Sequence, residues 1–227
     1  MVESQYIKSW YFFFFAGLAS LFPFLPLFWS QVLGFSSSQI GVLSALRPWL
    51  GTISGPVMCF YIDKFKQQRN AFLTLSCLVH LLRIFLFLPR SFSAQLFLVT
   101  AATIAGAPVG SFMDSCTLSK CVEPGSYGKI RLFGSLGWGV FSLVSSALSL
   151  KENMMGIFVM YGILAACSVY PSFQVNFDSV LKHEVVAFSE EEIKAAAVAA
   201  AQVLAAATEA TRTAHQLAKM TKKKRNV

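Results

Sequence analysis

Charge is what this 227-residue chain has least of. Asp, Glu, Lys and Arg together make up 13% of it, against about a quarter in soluble domains. The shortage is concentrated in blocks: Ser9–Leu46, Ser91–Met113, Leu132–Leu150 and Asn153–Phe177 contain no charged side chain at all. Crossing the hydrocarbon core takes ~20 apolar residues, because ~30 Å is covered at ~1.5 Å per helical residue. Several ion-free runs near that length exclude a soluble enzyme and make the lipid bilayer the main partner.

Catalytic and metal-binding patterns are also missing. The five cysteines, Cys59, Cys77, Cys116, Cys121 and Cys167, form no CxxC pair. Cys116 and Cys121 lie close in sequence without a neighbouring His to complete a zinc site. These are read as reduced, structural thiols, with no metal and no cofactor. The chain lacks a phosphate-binding glycine loop, a Ser/His/Asp set and a dinucleotide fingerprint. His80 and His183 are too differently placed to build a hydrolytic centre. The chain is therefore not expected to be an enzyme.

What is abundant is apolar: 55% of residues are hydrophobic and 22 are Phe. The runs and their breaks predict an all-α membrane protein with six transmembrane helices at about 9–33, 39–62, 70–89, 93–115, 130–150 and 153–174. Ser36–Ser38 followed by Gln39 reads as a helix start, and Pro124-Gly125 as a turn. The first apolar stretch is longer than the ~7–15 residues of a cleavable signal and lacks a small-x-small cleavage site, so it is expected to stay as an anchor. Short links make neighbouring helices antiparallel. Lys8, Lys64, Lys66, Arg69, Lys120 and Lys129 then fall on one side, and Arg90 and Lys151 on the other. The positive-inside rule puts the first side, and both termini, in the cytoplasm. The net charge of +8 thus reports topology, and no basic-aromatic surface pattern suggests nucleic acid.

The character changes after Phe177, so the chain divides into a six-span membrane domain, 1–177, and a cytoplasmic tail, 178–227. Ser189-Glu190-Glu191-Glu192 has the form of a capping box, opening an Ala-rich helix at about 190–219. Lys222-Lys223-Lys224-Arg225 closes the chain; it reads either as a solvated tail or as an attraction for anionic headgroups worth ~1 kcal/mol per cation.

Ionisable groups inside spans cost ~2.5–3.5 kcal/mol each at the midplane even on the lenient insertion scale, so each needs a reason. Arg47 stands ~12 Å below the outer end of its helix, with Arg83 at ~9 Å and His80 at ~13 Å on the next. No carboxylate exists in the outer half of any span to neutralise them. They read as the lining of a pathway for a small polar or anionic solute, or else as a snorkelling Arg83 beside a neutral packing histidine at 80. A second set, Asp63, Asp114 and Arg131, gathers at the cytoplasmic helix ends. It reads as a network that could break and reform between states or as a static ion pair, with Asp114 the leading contact for a proton or solute. Gly134, Gly137 and Gly139 on the fifth helix, and Gly106 and Gly110 on the fourth, permit close helix approach in lipid. Pro23, Pro26, Pro48, Pro56 and Pro108 break or kink spans.

Gly41–Asp63 (GVLSALRPWLGTISGPVMCFYID), followed by Lys64 to Arg69, resembles the loop between helices two and three of the major facilitator superfamily. Pro108–Asp114 (PVGSFMD) and Tyr127–Gly139 (YGKIRLFGSLGWG) are similar to its branch of nucleoside:proton symporters, phenylpropionate permeases and eukaryotic relatives. The resemblance covers about residues 8–175, with YGxxRxxGSxG its most specific part. It implies that Asp63 takes part in a cytoplasmic gate and that Asp114 and Arg131 are signature polar residues near the pathway; Lys64 and Arg131 are grouped with Asp63 as gating residues. Cys59 stands where the loop motif has Gly, and Lys66 stands near its second Gly. Members have twelve spans, with the solute path between two six-helix halves, so this chain corresponds to the first half. The implied function is a half-size, proton-coupled secondary transporter acting as a homodimer or paired with another six-helix half. The alternative is a truncated or regulatory membrane protein that pairs with a full-length relative and transports nothing.

Overall fold

The computed structural model describes residues 2–65, 67–121, 125–149 and 154–177. Lys66, Lys151, the tail from residue 178 and the helix expected there lie outside the described residues. Every regular element among those described is helical: α1 (Val2–Leu21), a 3-10 turn (Phe22–Phe24), α2 (Leu25–Gln31), α3 (Ser37–Lys64), α4 (Gln68–Phe85), α5 (Phe92–Lys120), α6 (Ser126–Ser149) and α7 (Met154–Gln174). Four runs are long and apolar enough to cross a membrane: Ser4–Gln31, Phe92–Lys120, Ser126–Leu148 and Met154–Gln174.

Local chemistry explains the boundaries. The first rod, expected to be continuous, is broken at Phe22–Phe24, where Pro23 and Pro26 each remove a backbone donor and tighten the chain into a 3-10 turn. Gly34 adopts φ 68° to leave α2, and the Phe35 N–H reaches back 2.9 Å to the Trp29 carbonyl. The α3 start is a reciprocal cap. The Gln39 N–H donates to Ser36 Oγ at 3.4 Å, and the Ser36 N–H donates to Gln39 Oε1 at 2.9 Å. α4 ends at Phe85 rather than near residue 89, and Gln95 secures the turn that follows. Its amide donates to the carbonyls of Leu86 (2.7 Å) and Pro89 (2.9 Å), while its oxygen accepts from Trp29 Nε1 (3.2 Å). α5 continues through Asp114 to Lys120 and α6 opens at Ser126, so the link between them is shorter than the expected Cys116–Lys129. Cys116 is consequently a buried helical residue.

α1 packs along α6 and α7, α5 packs against α3 and α4, and the two trios meet where α4 touches α7 and α2 touches α3. Exchanging α1 with α5, α3 with α6 and α4 with α7 turns each long-helix contact into another observed one. That is the contact pattern of two three-helix repeats, and an odd number of short-linked rods per repeat gives them opposite directions. The buried interior falls into two clusters. One surrounds Trp10, Tyr11, Phe14, Phe72 and Val109; the other surrounds Phe28, Trp29, Leu43, Phe158 and Tyr161.

Within the trio of α1, α6 and α7 the approach is closest at Gly137, where a side-chain carbon would collide with the backbone carbonyl of Phe12. At Gly134 it would lie 2.8 Å from an Arg131 nitrogen and 3.0 Å from the Phe15 ring. Gly139 and Gly110 face open space. Large apolar side chains such as Phe97 and Leu143 point outward, 70% and 75% exposed, as suits a surface bathed in lipid.

Candidate functional site

Two polar clusters interrupt the apolar interior. The first is built around Asp114, in the last two turns of α5. Tyr11, from α1, donates its hydroxyl to Asp114 Oδ1 at 2.5 Å and lies 3.3 Å from Thr117 Oγ1. Arg131, one turn into α6, brings Nε to 3.7 Å from the same carboxylate oxygen, with both side chains about a third exposed (33% and 36%). The guanidinium is held by rings: its carbon lies 4.1 Å from the Phe15 centroid and 5.1 Å from that of Tyr11. Tyr127 also interacts with both charges.

The spacing Tyr127, Arg131, Gly134, Gly137 places these residues on one helix face, and that face meets α1. The two glycines bring α6 down onto Phe12 and Phe15, which delivers Arg131 to Asp114. A single carboxylate oxygen thus receives a short neutral donor and a longer charged one. Tyr11 can stay bonded while the guanidinium contact is exchanged for a proton or a polar solute group.

The expected three-member network is only partly assembled. Asp114 and Arg131 meet, whereas Asp63 at the end of α3 accepts a bond from Gln68 Nε2 at 3.1 Å across the link. Lys64 is exposed beside it. Pattern reading missed Tyr11 and Thr117. Tyr11 sits in a run of aromatics where nothing separates a polar hydroxyl partner from ordinary packing.

The second cluster lies at the opposite ends of the helices and contains the three basic residues grouped from depth alone. His80 is buried and bonded through both ring nitrogens. Nδ1 is 2.8 Å from the Tyr161 hydroxyl and Nε2 is 3.1 Å from Ser168 Oγ. Ser168 gives its own proton to the Ala165 carbonyl at 2.7 Å, so it can only accept from His80. Nε2 therefore carries a hydrogen, and in the neutral ring Nδ1 accepts from Tyr161. This neutral tautomer answers the cost of an imidazole in a span and makes His80 a link between α4 and α7. Tyr161→Phe, which leaves Nδ1 buried without a donor, is expected to cost about 1–3 kcal/mol, read as a lowered unfolding midpoint of the detergent-solubilised chain.

Arg83, three residues on, also lies against Tyr161. It does not snorkel: only 6% of it is exposed. Its guanidinium occupies the notch left by Gly106, where a side-chain carbon would stand 2.7 Å from Nη2. Arg47 arrives from α3. Its guanidinium carbon is 3.8 Å from the Phe22 ring centroid and that of Arg83 is 5.0 Å from it. Phe22 belongs to the proline-induced break, so the interruption of the first rod puts an aromatic ring within reach of two cations.

A helical bundle with four rods suited to crossing a bilayer, a repeated three-helix contact pattern and charges at both ends suits a membrane protein. Comparison with known proteins decides the lineage, since residues 5–224 match the model of the MFS_1 like family. The chain belongs to that family. Over 164 residues it is 26% identical to the uncharacterized transporter YwbF of Bacillus subtilis strain 168, covering 71% of this chain and 41% of the relative. It is 23% identical to the melibiose permease of Enterobacter cloacae over 57% of this chain and 32% of that protein. It is 22% identical to the raffinose permease of Escherichia coli over 61% and 34% respectively. The chain thus spans less than half the length of these relatives. As a member of the MFS_1 like family it is an integral membrane protein of the major facilitator superfamily. Asp114, Arg131 and the glycines of α6 lie within its matched region.

Proposed function

We propose that this chain supplies a six-span half of a secondary transporter that moves a small polar solute by alternating access coupled to protons. In this reading α3 and α4 cross the membrane with the four more apolar rods, both termini face the cytoplasm, and a second copy or another six-helix half completes the path. The branch of nucleoside:proton symporters and phenylpropionate permeases is the proposed placement, on the strength of the YGxxRxxGSxG run. Arg47 and His80 line the outer pathway, Asp114 takes the proton, and Asp63, Lys64 and Arg131 act at the cytoplasmic gate.

The observation carrying the proposal is the Tyr11–Asp114–Arg131 cluster. It holds a carboxylate with an exchangeable cation partner, one-third open, at the ends of packed helices. Such a pair suits a switch better than a staple, because a partly exposed ion pair contributes little fixed stability. The names of the melibiose and raffinose permeases support a small polar solute.

The test is solute-driven proton movement into proteoliposomes of the full chain, followed with a trapped pH dye across a panel including melibiose, raffinose and monocarboxylates. At least one solute is expected to move protons, and Asp114→Asn is expected to lower that flux by at least about tenfold, the loss typical of removing a group that handles the proton. The mass in detergent is expected to exceed that of one copy. A strict monomer overturns the pairing. Absence of flux together with copurification of a twelve-span partner favours a regulatory protein instead.

A further inference from the structure

We propose that Arg47 and Arg83, gathered around Phe22, form a binding site for the carboxylate of an organic anion. The inference rests on the transport reading only for its consequence, since it makes the solute a carboxylate; the binding itself is measured without flux.

Three observations carry it. First, Arg83 is buried, with 6% of it exposed, yet its Nη1 has no hydrogen-bond partner among the described residues. A buried guanidinium N–H left unpaired is costly, and natural proteins keep such an atom where something else fills it. Second, a second guanidinium has been brought to the same ring. Like charges repel, and the facing groups do not offset them: none is an anion, since His80 is an imidazole, Tyr161 and Ser168 are hydroxyls, and α5 presents Gly106 there. The nearest carboxylates in sequence, Asp63 and Asp114, are each tied at the opposite helix ends. The Phe22 ring offsets part of the repulsion through its π face, and an anion would offset the rest. Third, the backbone itself makes room for Arg83, since any side chain at 106 would meet Nη2 and Val79. Arg47, unlike Arg83, is half-exposed, which gives an arriving anion a first contact before the buried fork.

The geometry selects the ligand class. A guanidinium offers two parallel N–H donors that match the two oxygens of a carboxylate. Arg83 provides an unpaired donor, Nη1, inside and Arg47 a charge at the rim. One carboxylate leaves the cluster with a net charge of one, shared over a ring and a hydroxyl. A neutral sugar would leave both cations uncompensated.

The full chain purified in detergent is titrated with sodium benzoate, benzamide and sodium phosphate, and thermal unfolding is followed. Benzoate is expected to raise the midpoint, while benzamide, of the same shape without the charge, leaves it unchanged. Phosphate is expected to act more weakly. Arg47→Gln, at the half-exposed position, is expected to weaken the benzoate response by about tenfold or more, and Arg83→Lys to weaken it although the charge is kept. Should these variants not fold, labelling of the wild-type chain with phenylglyoxal decides: benzoate is expected to slow modification of Arg47 specifically. Equal stabilisation by benzoate and benzamide, a stronger response to phosphate, or unprotected Arg47 each overturns the carboxylate site. Benzoate binding without flux in liposomes refutes the transport reading while leaving the site intact; sugar-driven flux without benzoate binding does the reverse.

Discussion

Gly137→Ala is expected to destabilise the detergent-solubilised chain by about 1–3 kcal/mol, the usual cost of forcing one carbon into a packed contact. The direction is unusual, since Ala exceeds Gly in helix propensity by ~0.8–1 kcal/mol. The added methyl would meet the backbone carbonyl of Phe12, and backbone cannot rotate away as a side chain can. α6 must then lift from α1, and Arg131 lifts with it, away from Asp114. Loss of midpoint and loss of proton flux should therefore appear together. Gly139→Ala, two residues on and facing open space, is the control: its midpoint should be unchanged or slightly higher. Equal behaviour of the two variants would refute the close approach.

The exchange variant Asp114→Arg with Arg131→Asp is expected to be at least as damaging to flux as Asp114→Asn alone, a loss of about tenfold or more. A simple ion pair tolerates exchange, because opposite charges still face each other. Here Asp114 accepts a hydrogen bond from Tyr11 as well as facing Arg131, and arginine has no acceptor to offer. The Tyr11 hydroxyl would be left pointing at a cation. Adding Tyr11→Phe to the exchange variant removes that conflict and should restore part of the thermal stability but none of the flux. Recovery of flux by the exchange alone would reduce the cluster to an ion pair.

Much of this was legible in the residues. Ion-free runs marked the apolar rods because the hydrocarbon leaves no choice, and Ser36 with Gln39 marked a helix start because the donors there must be satisfied. Depth arithmetic placed Arg47, His80 and Arg83 together, since one rise per residue governs every helix. The break at Phe22–Phe24 was harder to see: proline inside an apolar rod can bend it or interrupt it, and only packing decides. The sequence puts the α5 boundary too early because Asp114 reads as the end of an apolar stretch. A helix continues past a polar residue once Tyr11 and Arg131 serve its carboxylate. Level alone groups Asp63 with Asp114, but level does not fix azimuth, and Gln68 claims it. Tyr161 and Ser168 were invisible as partners because their hydroxyls sit among residues suited to plain lipid-facing helix.

Several side-chain links between elements share a placement. Tyr11 to Asp114, Arg131 to Asp114, Trp29 to Gln95, His80 to Tyr161 and Ser168, and Arg47 to Phe22 all bridge the same divide. On one side of it stand α1, α6 and α7 with the connected α2, and on the other α3, α4 and α5. Where α6 lies on α1, by contrast, glycine lets one backbone rest on another. Directional bonds can be traded one for another over a small displacement, whereas interlocked backbones cannot slip. Close backbone packing thus makes α1 and α6 a stiff pair, and the bonded divide beside them the more compliant contact.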